Sequence, residues 1–291
     1  MKITVNAFAK INLFLDIGAL LDNGYHSLFM IMQSVGLHDT VVIETNESRR
    51  IIVTCSDKSL PSGKKNIAYK AAAAFFEKTG AANSGLAVRI GKAIPAAAGL
   101  AGGSADAAAV IAGLDRLYGT NLGEKALVET GLAVGSDVPF CLTGGTMLVQ
   151  DTGGVLSKLP DLPPCCFVIA KPDESVSTKE AYAAYDAFGV AHRPDKCRML
   201  NRAAAGDLKG MCDFAGNVFE QIIEVTDRVE IKAVMRKHGA LCSQMSGSGP
   251  SVFGIFEDKR AAEQCASELG KLVKQTFVCG PVNRGLFFEN E

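Results

Sequence analysis

Four features of the sequence could together transfer a phosphoryl group: a lysine in an alternating segment, an aspartate in a short loop, and two loops of small residues. The lysine is Lys10, the aspartate is Asp137, and the loops are residues 95–105 and 246–251. In such a set the aspartate accepts or orients the proton of an attacking hydroxyl, while the lysine stabilises the developing negative charge. Each feature also has a plainer explanation, which depends on the element that positions it.

The first small-residue loop reads PAAAGLAGGSA and precedes an alanine-rich helical run. Small residues let a backbone turn tightly and approach a ligand. Ser104 is a good N-cap, so we predict a helix over residues 104–118 whose first turn offers free N–H groups to a phosphate. A flexible turn without a ligand is the alternative. Asp106 falls in the predicted first turn, where the helix dipole favours a carboxylate.

Residues 2–17 alternate between apolar and polar side chains, which predicts a long, half-buried strand or hairpin arm. The alternation puts Lys10 and Asn12 on one face, although a lysine on a strand is usually only a solvated charge. Tyr25 and His26 follow an Asp-Asn-Gly turn. They form either an exposed turn edge or an aromatic platform and a hydrogen-bonding imidazole at the mouth of a site.

The remaining N-terminal segments predict a mixture of strands and helices. We expect Asn66 to cap one helix. Asp137 falls in a short loop, where an aspartate is often only a turn former. Pro139 should keep Val138 extended. The predicted strands are residues 40–44, 50–54, 86–90 and 146–150, and the predicted helices are residues 66–80 and 123–135.

Three prolines in residues 160–164 mark the best candidate for a linker. The order of elements after it fits a small α+β sandwich. The SGSGPS loop, residues 246–251, is either a hairpin turn or a second wall of a cleft. The predicted strands are residues 165–170, 242–245, 252–256 and 277–281, and the predicted helices are residues 178–188, 198–208, 218–238 and 260–274.

Composition excludes several classes of protein. A net charge of -1 gives no reason to expect nucleic acid or a membrane surface as a partner, and no apolar run approaches the ~20 residues of a membrane span. Nine cysteines without a CxxC pair, and four histidines without metal-ligand spacing, do not support a zinc site. We expect free thiols in a reducing cytoplasm.

The first small-residue loop is neither a Walker-type nor a dinucleotide-binding phosphate loop, because the chain lacks GxxxxGK[ST] and has no GxGxxG after its first strand. Below we call it the phosphate loop. The order of AKINLFLDI, DNGYHSL, IPAAAGLAGGSADAA, GSDVPF and SGSGPSVF instead resembles the GHMP small-molecule kinase superfamily. The GYH, AK-x-N and GSDVP elements are most similar to the branch that phosphorylates the 2-hydroxyl of diphosphocytidyl methylerythritol in the non-mevalonate isoprenoid pathway.

The resemblance implies an α+β, two-domain GHMP kinase fold with its cleft between the domains. The N-terminal domain, residues 1–157, would bind ATP, carry the catalytic pair and contain a left-handed β-α-β unit. The C-terminal domain, residues 165–286, would be ferredoxin-like. The implied co-substrate is ATP with Mg²⁺, the partners are small molecules, and the protein is a cytoplasmic monomer or homodimer.

The resemblance also implies a role for individual residues. Asp137 would be the base, and Lys10 would lower the pKa of the substrate hydroxyl and steady the phosphate. The substrate would be held by Asn12, Tyr25, His26, Thr178 and Tyr182, with the two tyrosines sandwiching the cytosine. ATP would be held by Asn66, Pro95, Ala96, Ala97, Ala98, Gly99, Leu100, Ala101, Gly102, Gly103, Ser104 and Ala105, with Ser104 also near Mg²⁺.

The chain departs from the family pattern at three positions: its loop reads GLAGGSADA where GLGGGSSDA is commonest, and its GSDVP has Ser136 where alanine is usual. We expect Ala101 to be tolerated if that position has ordinary backbone angles, whereas Ala105 removes a hydroxyl. Two alternatives stay open: a GHMP kinase with another alcohol substrate, and a nucleotide-binding module without chemistry.

Overall fold

A computed structural model describes residues 1–289 of the chain. Its N-terminal half is built on two long antiparallel strands, β1 (Lys2–Leu20) and β2 (His26–Thr45). The predicted strand is confirmed. Its first part, residues 2–8, is half-buried as expected, whereas every residue from Ala9 to Ile17 is buried. The second face is covered by the C-terminal half, whose Gln244 side chain donates to the backbone carbonyls of residues 12 and 13.

The N-terminal sheet has eight strands, and β2 is its centre because it pairs with three others. Its second half pairs with β4 and its first half with β5. Only residues 40–44 of β2 were expected, since its first half is apolar on both faces and lacks alternation. The other strands are β3 (Ile51–Cys55), β4 (Leu86–Gly91), β5 (Thr146–Asp151), β6 (Val155–Lys158), β8 (Gly216–Asn217) and β12 (Leu286–Phe288).

Four helices belong to this half: α1 (Ile67–Thr79), α2 (Gly102–Tyr118), α3 (Glu124–Val134) and α4 (Val138–Thr143). The predicted caps of α1 are confirmed, with Asn66 accepting from the N–H of Ala68 and Gly80 left-handed. α1 joins β3 to β4, which run parallel.

Two predictions about helix starts are wrong. α2 begins at Gly102 rather than Ser104, and its N-cap is Ala101, so Ser104 lies inside the first turn. Val138 is helical rather than extended, because Pro139 is at the second position of α4, where a helix does not need its N–H.

The C-terminal half contains a four-stranded antiparallel sheet. Its strands lie in the order β11 (Gln275–Cys279), β7 (Cys166–Lys171), β10 (Val252–Phe256) and β9 (Cys242–Met245), which is the ferredoxin-like order. The alternation of β7 separates two cores. Val168 and Ala170 pack with α8 and α9, whereas Phe167 and Ile169 join the core of the N-terminal half. These helices are α8 (Arg228–Lys237) and α9 (Lys259–Leu269).

Three further helices connect β7 to α8: α5 (Thr178–Phe188), α6 (Lys196–Ala204) and α7 (Leu208–Asp213). α5 is confirmed, but the predicted helices 198–208 and 218–238 are wrong in extent. Asp207 caps α7 and separates it from α6, and only a 3-10 turn, Val218–Gln221, precedes α8. No helix within residues 1–289 is both long and apolar enough to cross a membrane, and all nine cysteines are free thiols.

Candidate active site

Lys10 and Asp137 are brought together beside the small-residue loop. The Nζ of Lys10 lies 3.7 Å from Oδ2 of Asp137 and donates a 2.7 Å hydrogen bond to Oδ1 of Asn12. Lys10 is only 4% exposed, while 31% of the Asp137 side chain is exposed. The alternative of a solvated strand lysine is therefore wrong, and the pair is open to a substrate from the carboxylate side.

The backbone leaves the Asp137 carboxylate free. Asp137 precedes α4 with helical angles, φ −86° and ψ −12°, and its side chain makes no capping hydrogen bond to that helix. A turn-forming aspartate bonds to nearby backbone N–H groups. This carboxylate faces Lys10 instead, so the alternative of a simple turn former does not hold.

The first small-residue loop is fastened to β1 next to Lys10 and Asp137, because the N–H of Lys10 donates to the carbonyl of Leu100. Three loop residues are left-handed: Ala97 (φ 47°), Gly99 (φ 74°) and Ala101 (φ 57°). The condition on which we expected Ala101 to be tolerated, ordinary backbone angles, is therefore not met. This position has the conformation that glycine adopts most readily.

The SGSGPS loop forms a wall of the cleft, as one of the two alternatives predicted. The hydroxyl of Ser246 donates to the carbonyl of Gly99 at 3.0 Å, and the N–H of Ser251 donates to the carbonyl of Ala98 at 3.3 Å. The N–H of Asn12 in turn donates to Oγ of Ser246 at 3.3 Å. One serine therefore joins β1 to the first small-residue loop.

These elements enclose a cavity of about 500 Å³. Leu100 and Ala105 are buried behind the loop and do not line it. Burial raises the pKa of the Tyr182 phenol well above its usual value. The expected site residues that line the cavity are Lys10, Asn12, Asn66, Pro95, Ala96, Ala97, Ala98, Gly99, Ala101, Gly102, Gly103, Ser104, Asp137, Thr178 and Tyr182.

Tyr25 and His26 do not line this cavity. Tyr25 is 65% exposed at the hairpin turn. The Nδ1 of His26 lies 3.1 Å from the carbonyl oxygen of Gly18 and its Nε2 lies 2.8 Å from Oδ1 of Asp186. Its ring stacks on Tyr182 with centroids 5.9 Å apart. Through Tyr182 the pair is adjacent to the cavity rather than part of it.

Two expected residues use their side chains locally. Asn66 caps α1 through Oδ1, and its Nδ2 donates to the carbonyl of Pro61 at 2.8 Å. The hydroxyls of Thr178 and Ser248 share a 3.2 Å hydrogen bond, which links α5 to the SGSGPS loop.

The prediction that the helix dipole stabilises Asp106 in the first turn of α2 is wrong. Asp106 lies beyond that turn and pairs with Lys92 at 2.9 Å. Lys92 also pairs with Asp39, which is fully buried. Burial, reinforced by Asp39 and opposed by Lys92, raises the pKa of Asp106 to about 8. Burial alone would lower the pKa of Lys92, but the two carboxylates raise it. No signal in the sequence points to this cluster, since Asp39 is remote in the chain and carries no motif.

Comparison with known proteins identifies two family domains in the chain. Residues 66–145 match the family described as GHMP kinases N terminal domain, and residues 208–275 match GHMP kinases C terminal. A homoserine kinase structure from Cytophaga hutchinsonii has a TM-score of 0.76 at 20% identity, covering 99% of this chain and 97% of that one, so it shows the fold. The predicted two-domain α+β GHMP kinase fold is confirmed.

Relatives along nearly the whole chain carry one name. The 4-diphosphocytidyl-2-C-methyl-D-erythritol kinase of Caldicellulosiruptor saccharolyticus is 42% identical, covering 99% of both chains. That of Acetivibrio thermocellus is 44% identical, covering 90% of this chain and 92% of its own. A crystal structure of 4-(cytidine 5'-diphospho)-2C-methyl-D-erythritol kinase is 29% identical, with a TM-score of 0.74 and coverage of 96% and 98%. The resemblance of the motifs is thus confirmed, and this chain belongs to the GHMP kinase family.

Proposed function

We propose that this protein uses ATP to phosphorylate the 2-hydroxyl of 4-diphosphocytidyl-2-C-methyl-D-erythritol, a step in the non-mevalonate synthesis of isoprenoid precursors. The observation that carries the chemistry is the approach of Lys10 and Asp137 beside the phosphate loop, with 3.7 Å between Nζ and Oδ2. The substrate follows from relatives at 42% and 44% identity that bear its name.

The residues divide the work in a simple way. Asp137 accepts the proton of the attacking hydroxyl, which its exposed carboxylate can reach. Lys10, held by Asn12, stabilises negative charge on the hydroxyl oxygen and on the transferred phosphoryl group. The N–H groups of the phosphate loop and of the first turn of α2 bind the phosphates of ATP.

Mg²⁺ fits the donors that line the cavity. In phosphoryl transfer Mg²⁺ neutralises phosphate oxygens and takes only one or two protein ligands, keeping waters for the rest. Ser104 lines the cavity and offers a hydroxyl oxygen. Within residues 1–289 no group of three or more His, Cys, Asp or Glu is arranged to hold a metal.

The acceptor is held at the other end of the cleft. Thr178 and Tyr182 line the cavity on the side of α5, and Tyr182 stacks on His26. His26 adjoins the cavity through Tyr182, and Tyr25 precedes His26 at the exposed hairpin turn. We propose that these four side chains bind the cytidine part of the acceptor, with Tyr25 moving from its exposed position to cover the base.

A coupled assay of ADP release tests the proposal. With the cytidine substrate, we expect Asp137→Ala to reduce turnover by about 100-fold or more, since general bases contribute roughly 10²–10⁴-fold. ATP affinity should change little, because the loop does not depend on Asp137. A turnover above a tenth of the normal rate would remove Asp137 from the role of base.

The same assay decides between the alternatives. A panel of alcohols that includes homoserine and mevalonate should give much lower kcat/KM than the cytidine compound. Higher activity on another alcohol would assign the protein to that substrate. ATP binding without turnover of any alcohol would make it a binding module.

A further inference from the structure

The phosphate loop is held by the buried cluster Asp39, Lys92 and Asp106, to which the proposed reaction assigns no role, although Lys92 and Asp106 also line the cavity. Asp39 lies on β2 and is fully buried. Its Oδ1 accepts from the N–H of Ala93 at 2.6 Å and of Ile94 at 2.9 Å. One carboxylate oxygen therefore holds the two residues that enter the loop at Pro95.

The other half of the cluster reaches the exit of the loop. The Nζ of Lys92 donates to Oδ2 of Asp39 and, at 2.9 Å, to Oδ2 of Asp106 on α2. It also lies 3.2 Å from the position that a Cβ on Gly102 would take. The ammonium group thus lies against the first residue of α2 and joins the two ends of the loop.

Asp106 shows that the cluster is not arranged for stability alone. Its Oδ1 is buried and has no hydrogen-bond partner among the described residues. A buried carboxyl group with one unsatisfied oxygen, beside a second carboxyl group, is unfavourable by itself and is offset only by its hydrogen bond with Lys92.

The loop needs such support because three of its residues, including two alanines, are left-handed. Unfavourable backbone conformations persist only when the surrounding structure determines them. Without its anchors the loop is expected to relax, and its N–H groups would lose the orientation that binds phosphate.

We propose that Asp39 and Asp106 are positioning residues for phosphate transfer, which hold both ends of loop 95–101 in its ATP-binding conformation. Asp39 acts on the entrance directly through the N–H groups of residues 93 and 94, and Asp106 acts on the exit through Lys92. This inference rests on the proposed use of the loop as the ATP phosphate site. It does not depend on which alcohol is phosphorylated.

The test compares Asp106→Leu, Asp106→Asn and Asp39→Asn, with direct measurement of the Kd for ATP and of KM for both substrates. Asp106→Leu removes the acceptor for Lys92 and should raise the Kd for ATP about tenfold, the effect of one hydrogen bond to a charged group. Because Lys92 loses one of its two buried carboxylate partners, the melting temperature should fall, so every constant is measured at a temperature where each variant is folded. Asp106→Asn keeps an acceptor, so its Kd should stay within about threefold.

Asp39→Asn tests the other end of the loop. Its amide N–H groups would face the Lys92 ammonium or the backbone donors, so we expect an increase of about tenfold in the Kd for ATP. In these variants KM for the alcohol should change much less than KM for ATP. Glu129→Gln is the control, because it breaks an exposed ion pair with Lys78 and should change neither constant.

Two results would overturn the inference. One is a Kd for ATP within twofold of the wild type in Asp106→Leu. The other is an equal rise in both KM values, which a general loss of structure would produce. If Asp39→Asn does not fold, the Asp106 pair decides alone. A wild-type protein that binds ATP but leaves the cytidine compound unchanged would contradict the proposed function, while the comparison of ATP affinities would still test the loop.

Discussion

At the scale of single residues, the left-handed backbone of Ala101 has a measurable consequence. An L-residue with a Cβ is disfavoured in this conformation by roughly 1–2 kcal/mol. Glycine removes that cost, but it lowers the free energy of unfolding by about 0.4–1 kcal/mol because its unfolded chain has more conformational freedom. We therefore expect Ala101→Gly to raise the free energy of unfolding by about 0.5 kcal/mol. Urea denaturation at constant pH measures the difference.

Ala96 provides a matched control in the same loop, because it is not among the residues with positive φ. Ala96→Gly should lower the free energy of unfolding by about 0.5 kcal/mol, since only the unfolded-state effect applies. The same sign for both substitutions would show that φ at position 101 does not govern the effect.

Lys10 and Asn12 show what a single residue's sequence context can predict. The alternation of residues 2–17 places Lys10 and Asn12 on one face of a strand, and the structure confirms that they hydrogen-bond. The alternation could not predict that this face is buried, because the residues that cover it, Gln244 and Ser246, lie more than 200 residues away in the chain. Sequence similarity to a family, rather than periodicity, pointed to a role for Lys10.

At the scale of elements, the contact between the phosphate loop and the SGSGPS loop depends on Gly99. A Cβ at this position would lie 2.1 Å from the carbonyl oxygen of Ser246, closer than real atoms approach. Gly99→Ala should therefore separate the two loops. We expect it to lower the free energy of unfolding by about 3 kcal/mol, from backbone strain plus overpacking, and to weaken ATP binding.

Gly80→Ala separates these two causes. Gly80 ends α1 with φ 68°, close to the 74° of Gly99, but a Cβ there meets no atom of the described chain within 4 Å. Gly80→Ala should lower the free energy of unfolding by only the roughly 1–2 kcal/mol that a left-handed residue with a Cβ costs, and should leave ATP binding unchanged. Denaturation and ATP titration of both variants check the difference; equal losses in both would mean that the loop contact contributes nothing.

The start of α2 shows why the ends of elements were harder to predict than the elements themselves. Ser104 has the side chain of an N-cap, yet the helix begins at Gly102, because Lys92 and the loop contacts hold the backbone N-terminal to it. Val138 was expected to be extended before Pro139, but the missing N–H of Pro139 is harmless in a first helical turn. In both cases a local preference had more than one compatible structure.

At the scale of the whole molecule, the chain does not keep its halves separate. After β11 it returns to the N-terminal sheet, where β12 pairs with residues 5–7 of β1. Strands β9 and β10 were predicted at their observed bounds, since each is a clear run between turn residues. β8 and β12, of two and three residues, carry no periodicity that could reveal them.

The dependence of global stability on pH follows from the Asp39–Lys92–Asp106 cluster. The pKa of Asp106 is raised from 3.8 to about 8 in the folded protein, chiefly by burial. Between those values the folded state holds a proton that the unfolded state has lost. The contribution of this group to the free energy of unfolding is therefore fully present below about pH 4 and is lost as the pH rises to about 8.

Asp106→Asn removes this titration, so the variant serves as the reference at each pH. We expect the wild type to lose at least about 1 kcal/mol of unfolding free energy relative to Asp106→Asn between pH 6 and pH 8.5, since one bound proton gives about 1.4 kcal/mol per pH unit. Urea denaturation at the two pH values measures the difference, and all groups outside the cluster cancel from it. Glu129→Gln, on the surface, should follow the wild type. If Asp106→Asn and the wild type instead change in parallel, the carboxyl group is already ionised at pH 6 and the cluster holds its charge by another arrangement.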